Sequence, residues 1–128
     1  MRLTLSATDA APRRARVALE DWLLSIVDED AMFQIAVATS EVVTNAVRHA
    51  GLERSDMIQL RGEADEDTVR IEVEQASSAA SVRLVPATDQ RDSRDGGFGL
   101  RIVDELSSRW GVVQGPPGRV WFELDEAQ

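Results

Sequence analysis

SEVVTNAVRHA, residues 40–50, is an apolar stretch that carries Glu41, Asn45 and His49 at even spacing. Valine and alanine fill most of the rest, as in a helix bound for a core. Side chains four apart share one face of an α-helix. A carboxylate, an amide and an imidazole therefore line up, while Val42, Val43, Ala46 and Val47 cover much of the remaining surface. A carboxylate so placed can act as general base toward a bound hydroxyl or water. An amide oxygen is a hard ligand of the kind Mg²⁺ accepts beside waters and phosphates. The same pattern also fits a solvated stripe on an amphipathic helix, with His49 as a helix-end contact favoured by the dipole.

Upstream, VDEDAM places acidic residues at the start of this helix, which suits its dipole, and Gly51 is a natural residue to end it after Ala50. Residues 1–6, MRLTLS, alternate and read as a short edge strand. A first helix is expected from a cap at Thr8 or Asp9, through Pro12, to about Val27. Its apolar stripe is read as Ala15, Val17, Ala18, Trp22, Leu23 and Ile26. Downstream, residues 57–61 (MIQLR) and 69–73 (VRIEV) alternate about a polar turn at 62–67. Residues 74–96 lack periodicity and are rich in Ser, Ala, Asp and Arg. A loop of that length in a compact domain is usually functional or mobile. GGFGLRIVDEL then opens a third helix, with Leu100, Val103 and Leu106 toward the core. Residues 110–113 and 119–124, about the GPPG turn at 115–118, read as two more strands, with Trp110 and Trp121 as sheet residues rather than ligands. The sum is a single α/β domain over residues 1–128, a two-layer α/β sandwich with a mixed, mostly antiparallel sheet packed on helices.

The glycines at 96, 97 and 99 let backbone approach a ligand closely. Free N–H groups at a helix start bind phosphate. An ordinary loop-to-helix turn uses glycine too.

Composition narrows the chemistry. The chain has 128 residues, 43% of them hydrophobic, and no cysteine. Disulfides, thiolate nucleophiles and Cys-based metal sites are excluded, and a reducing, cytoplasmic setting is expected. No apolar run is long enough to span a bilayer. The net charge of −9 argues against direct nucleic-acid binding. All 14 basic residues are arginine, so there is no P-loop lysine and no lysine general base.

Taken in order, SEVVTNAVRHA, two strands, a long loop, GGFGLRIVDELSSRWGV and GRVWFEL resemble the GHKL ATPase/kinase superfamily. Within it the chain looks like the small bacterial anti-sigma-factor serine/threonine kinases, over roughly residues 6–124. The resemblance implies ATP and Mg²⁺ as cofactors. Glu41 would activate the attacking hydroxyl, Asn45 would ligate Mg²⁺, and His49 would lie near the nucleotide. Gly97, Phe98, Gly99 and Leu100 would face the phosphates, and residues 76–95 would form the ATP lid. The implied partners are a sigma factor and a STAS-type anti-anti-sigma protein, with a homodimer through the edge strand.

One block departs from the family. Where an aspartate accepts a hydrogen bond from the adenine amine, strand alignment puts Gln75. Glu74 is adjacent, but on a strand it points to the opposite face unless a bulge rotates it inward. A glutamine can still accept through its carbonyl, without the charge-assisted part. The departure opens an alternative function, a non-catalytic regulator with a degenerate nucleotide site that holds a sigma factor or STAS partner.

Overall fold

A computed structural model describes residues 1–49, 56–75, 97–113 and 117–126; of His49 and of residues 97–99 it describes the backbone. Five strands form one sheet: β1 (Arg2–Ser6), β2 (Met57–Ala64), β3 (Thr68–Gln75), β4 (Arg109–Val113) and β5 (Arg119–Asp125). Their order is β1-β2-β3-β5-β4, and each of the four pairings is antiparallel. Helices α1 (Ala11–Leu23), α2 (Glu29–His49) and α3 (Gly97–Leu106) complete the α/β sandwich. The long α2 packs on the central strands β3 and β5, with α1 beside it toward β1 and α3 toward β4. That placement puts the Glu41–Asn45 stripe over the middle of the sheet.

Alternation in the strands separates two faces. Val69, Ile71, Val73 and Gln75 of β3 are buried, and so are Val120, Phe122 and Leu124 of β5. They meet Ile35, Ala38, Val42 and Ala46 of α2 and Leu100 and Val103 of α3 in one core. Each large side chain enclosed this way contributes about 1.5–3 kcal/mol of burial free energy. The outer face is an ion-pair lattice. Arg61 meets Glu72 at 3.3 Å and Glu74 at 3.2 Å, and Arg70 meets Glu123 at 2.9 Å. Arg109 bridges Glu123 and Asp125, and its hydrogen bonds hold both carboxyls below the usual carboxylate range. The Trp121 ring lies on this face with the Arg70 guanidinium 4.4 Å from its centroid, a cation–π contact. Gly111 on β4 lets the indole lie flat, since a Cβ there would stand 2.8 Å from Trp121 Nε1.

The ends of the elements differ from expectation in instructive ways. The first helix ends at Leu23 rather than near Val27, and the N–H groups of Ile26 and Val27 turn back onto the Leu23 carbonyl. Its N-cap is Ala10, with no side-chain cap; Thr8 Oγ1 instead accepts from the Ala10 N–H at 3.4 Å. The buried series is Ala11, Ala15, Leu19 and Leu23, so Val17 (57% exposed) and Ile26 (41%) fall outside the expected stripe. Val17 sits two positions from Ala15 and Leu19, about 200° around the helix, and so points away. At α2, Asp28 is the working cap, accepting from the Ala31 N–H at 2.8 Å, with Glu29 and Asp30 in the first turn. The β2–β3 turn closes on Asp65, whose carboxylate accepts from the N–H groups of Asp67 and Thr68, both at 2.8 Å. Those two donors hold its carboxyl below the usual range.

One close approach fixes α1 on the sheet. Gly62 is buried in β2, and a Cβ on it would stand 2.5 Å from Cζ3 of Trp22. Gly62→Ala is expected to destabilise the protein by about 1–3 kcal/mol through displacement of the indole. Denaturant midpoints of Gly62→Ala alone and combined with Trp22→Leu check this. The double variant should lose less than the sum of the singles, and an unchanged midpoint for Gly62→Ala would mean the ring has room to give.

Candidate functional site

The candidate site lies in the layer interface between α2 and the sheet, with the start of α3 alongside. Asn45 is 4% exposed, on the side of α2 that meets the core, and its Nδ2 has no hydrogen-bond partner among the described residues. Glu41, one turn earlier, is half-buried at the border of the same face. The carboxylate is thus within reach of solvent or substrate, while the amide is held inside. The solvated-stripe reading therefore fails at Asn45, since a solvated amide would not be enclosed.

Gln75 ends β3 beneath the helices. It is fully buried, and both Oε1 and Nε2 lack a partner among the described residues. The strand register leaves it no way out. Pairing runs without an inserted residue from Ala64↔Val69 to Ile58↔Gln75, and the Gln75 N–H donates to the Gly118 carbonyl at 3.0 Å. No bulge turns Glu74 inward; it pairs with Arg61 on the outer face. Buried polar side chains in native proteins nearly always find a partner. Two enclosed amides, on facing layers, with unmet donors or acceptors mark a place that a polar ligand or water completes.

Helix α3 begins at Gly97, within the GGFGLRIVDEL stretch expected to open it. Gly97 and Gly99 are therefore first-turn residues. The first-turn N–H groups of a helix have no intrahelical partner and carry the positive end of its dipole, a backbone arrangement suited to an anion. Leu100 is fully buried and anchors that turn to the core. The side chains of His49 and Phe98, and the expected lid at 76–95, lie outside the described residues.

The fit of Mg²⁺ and a nucleotide can be judged from the donors present. No group of three or more His, Asp or Glu side chains among the described residues is arranged to hold a metal. A cation here would need one protein oxygen, supplied by Asn45, with phosphates and waters completing the shell, which is how Mg²⁺ is commonly held. Asn45 Oδ1 can supply that oxygen, while the orphaned Nδ2 is a donor suited to a phosphate oxygen or a water. The outer face also carries a shallow groove of about 220 Å³ lined by Arg61, Glu63, Arg70, Glu72 and Arg119. Its three arginines are each already paired with a carboxylate, Arg61 with Glu72 and Glu74, Arg70 with Glu72 and Glu123, and Arg119 with Glu72.

Two polar groups escaped the sequence reading. Thr39 Oγ1 and Ser40 Oγ on α2 are enclosed without partners among the described residues, and Thr39 is fully buried. Their signal was hydroxyls at core positions of an otherwise apolar helix, just before Glu41.

Comparisons with known proteins bear on this arrangement. Curated proteins give no match. Among solved structures, the RsbU and RsbW domains of Rv1364c from Mycobacterium tuberculosis superpose with a TM-score of 0.71 at 23% identity. That likeness covers 100% of this chain and 33% of the other. The Erythrobacter litoralis EL346 blue-light activated histidine kinase superposes with a TM-score of 0.61 at 23% identity, over 93% of this chain and 42% of that one. The SiaB–SiaC complex from Pseudomonas aeruginosa gives 0.60 at 12% identity, over 98% of this chain and 89% of its match. The chain thus spans about a third of the first of these proteins, and at such identities the likeness speaks for the fold. The family described as the histidine kinase-like ATPase domain matches residues 5–120. That span is nearly the whole chain and includes α2, β3 and α3, and with them Glu41, Asn45 and Gln75: the chain belongs to the histidine kinase-like ATPase domain family.

Proposed function

We propose that this protein binds ATP with Mg²⁺ and is a serine/threonine protein kinase of the anti-sigma-factor type, acting in the cytoplasm. The observation that carries the reading is the enclosed Asn45, its Nδ2 without a partner among the described residues, one helical turn after the half-buried Glu41, in a family of ATPase domains. ATP would supply the phosphoryl group, and Asn45 would hold Mg²⁺ beside the phosphates. The first turn of α3 would bind phosphate oxygens through backbone N–H groups, which dispenses with a lysine. Glu41 would orient the incoming hydroxyl of a Ser or Thr and take its proton. The phosphate acceptor is a STAS-type antagonist, and a sigma factor is the second partner. The likeness to a structure containing an RsbW domain supports that class at the level of fold. Strand β1 at the sheet edge supports a homodimer through that edge.

A second reading has its own observation. Gln75 stands, buried, at the position the family gives to a carboxylate, and Glu74 faces the other way. On that reading the chain holds its sigma factor or STAS partner without chemistry. Calorimetric titration of ATP with Mg²⁺ separates the two. Dissociation constants of about 1–100 μM, or –8 to –5.5 kcal/mol, support the kinase reading. Absence of binding at millimolar ATP, with the protein folded, sinks it and leaves the binding-only regulator.

A further inference from the structure

We infer that Gln75 reads the hydrogen-bonding edge of a purine and accepts 6-amino and 6-oxo forms alike, so that the site takes purine nucleotides beyond those of adenine. This deepens the proposed nucleotide site and rests on it.

The side chain is fully buried, and both its amide atoms lack partners among the described residues. Its backbone is held by pairing to Ile58 and by the bond to Gly118, which keeps the side chain on the inner face of the sheet. Its neighbours on the same face of β3, Val73 and Ile71, are apolar and offer no partner. Whatever completes the amide must therefore present a donor or acceptor of its own from across the interface.

A glutamine amide shows one acceptor and one donor side by side. A 6-aminopurine presents an amine donor at position 6 beside the N1 acceptor. A 6-oxopurine presents the reverse, a carbonyl acceptor beside an N1–H donor. Half a turn of the amide about its last torsion matches the second as well as the first, and the two orientations have the same shape. A carboxylate in this place only accepts. It would welcome the amine and repel the carbonyl oxygen, and so would select the amino form. Glu74, the nearby carboxylate, is turned to the outer face and paired with Arg61 at 3.2 Å, so it does not restore such selection. Gln75 thus replaces a discriminating group by a symmetric one.

Calorimetric titration with ATP and with inosine triphosphate, each with Mg²⁺, tests this, because the two nucleotides differ only in the six-position edge. The wild type is expected to bind both within about fivefold, while Gln75→Asp should favour ATP by about tenfold or more. Gln75→Met, which keeps an apolar fill and removes both polar atoms, should weaken both nucleotides to a similar degree. Wild-type preference for ATP above tenfold would overturn the inference and leave the nucleotide site standing. Equal binding that persists unchanged in both Gln75→Asp and Gln75→Met would show that another group reads the base, and would overturn it too. Failure of the wild type to bind either nucleotide would remove the nucleotide reading itself, and this inference with it. Thermal unfolding of each variant confirms that the titrated protein is folded; if Gln75→Asp does not fold, the wild-type ratio and Gln75→Met decide.

Discussion

Glu41→Gln is expected to lower phosphotransfer about 10²–10⁴-fold while leaving the fold and the affinity for Mg²⁺·ATP in place. The substitution keeps the length and volume of the side chain and removes its ability to take a proton. Glu41 is half-buried at the edge of the α2 face rather than enclosed in the core, so the exchange leaves no uncompensated charge behind. Asn45, one turn on, stays buried and continues to offer its amide. Single-turnover transfer from ATP to a serine-bearing STAS substrate gives the rate, calorimetry gives the affinity, and thermal unfolding gives the fold. Glu41→Ala should act in the same direction. An unchanged rate would remove Glu41 from the chemistry. A rate lost together with the fold would assign it a structural role only.

Much of this arrangement was legible in the sequence, because its signals are local. The even spacing of Glu41 and Asn45 on a Val/Ala background, with Asp28, Glu29 and Asp30 just upstream, marks the α2 helix and its polar stripe. Alternation in MIQLR and VRIEV marks strands that in fact run on to Ala64 and Gln75. The failures came where a non-local contact decides. Val17 is an exception: it looks as apolar as Leu19, but helical geometry already sets it on the other side of α1 from Ala15 and Leu19. Trp22 was read as part of a generic stripe. Its particular seat depends on Gly62, forty residues away, having no Cβ. The glycines before Leu100 are expected as the entry to the third helix. Packing of α3 on α2 and β4 extends the helix over them, overriding their low propensity. For Gln75, strand alternation correctly set the face. That neither amide atom would find a partner could not be read, because it depends on what the facing helix brings across the interface.

Gln75→Met should stabilise the ligand-free protein by about 1–3 kcal/mol, the cost of an enclosed amide that makes no hydrogen bond. Methionine has similar length and bends to fill irregular space, so the exchange leaves little cavity. The same variant should lose most of its thermal response to ATP. A ligand at 100 times its dissociation constant stabilises a folded protein by about 2.7 kcal/mol, and the variant's weakened binding would leave only a fraction of that. Thermal unfolding with and without Mg²⁺·ATP reads both effects in one series. A gain in the free protein with a loss of the nucleotide response means that Gln75 is kept at the expense of stability because a ligand completes it. A loss of stability in the free protein would instead mean that ordered water already satisfies the amide, and that Gln75 belongs to the architecture of the strand end. The two readings of this protein, a kinase and a regulator that only binds, part at the same residue. A nucleotide-completed Gln75 is what a working ATPase domain requires, whereas a water-completed one is what remains when the fold is retained for its surfaces alone.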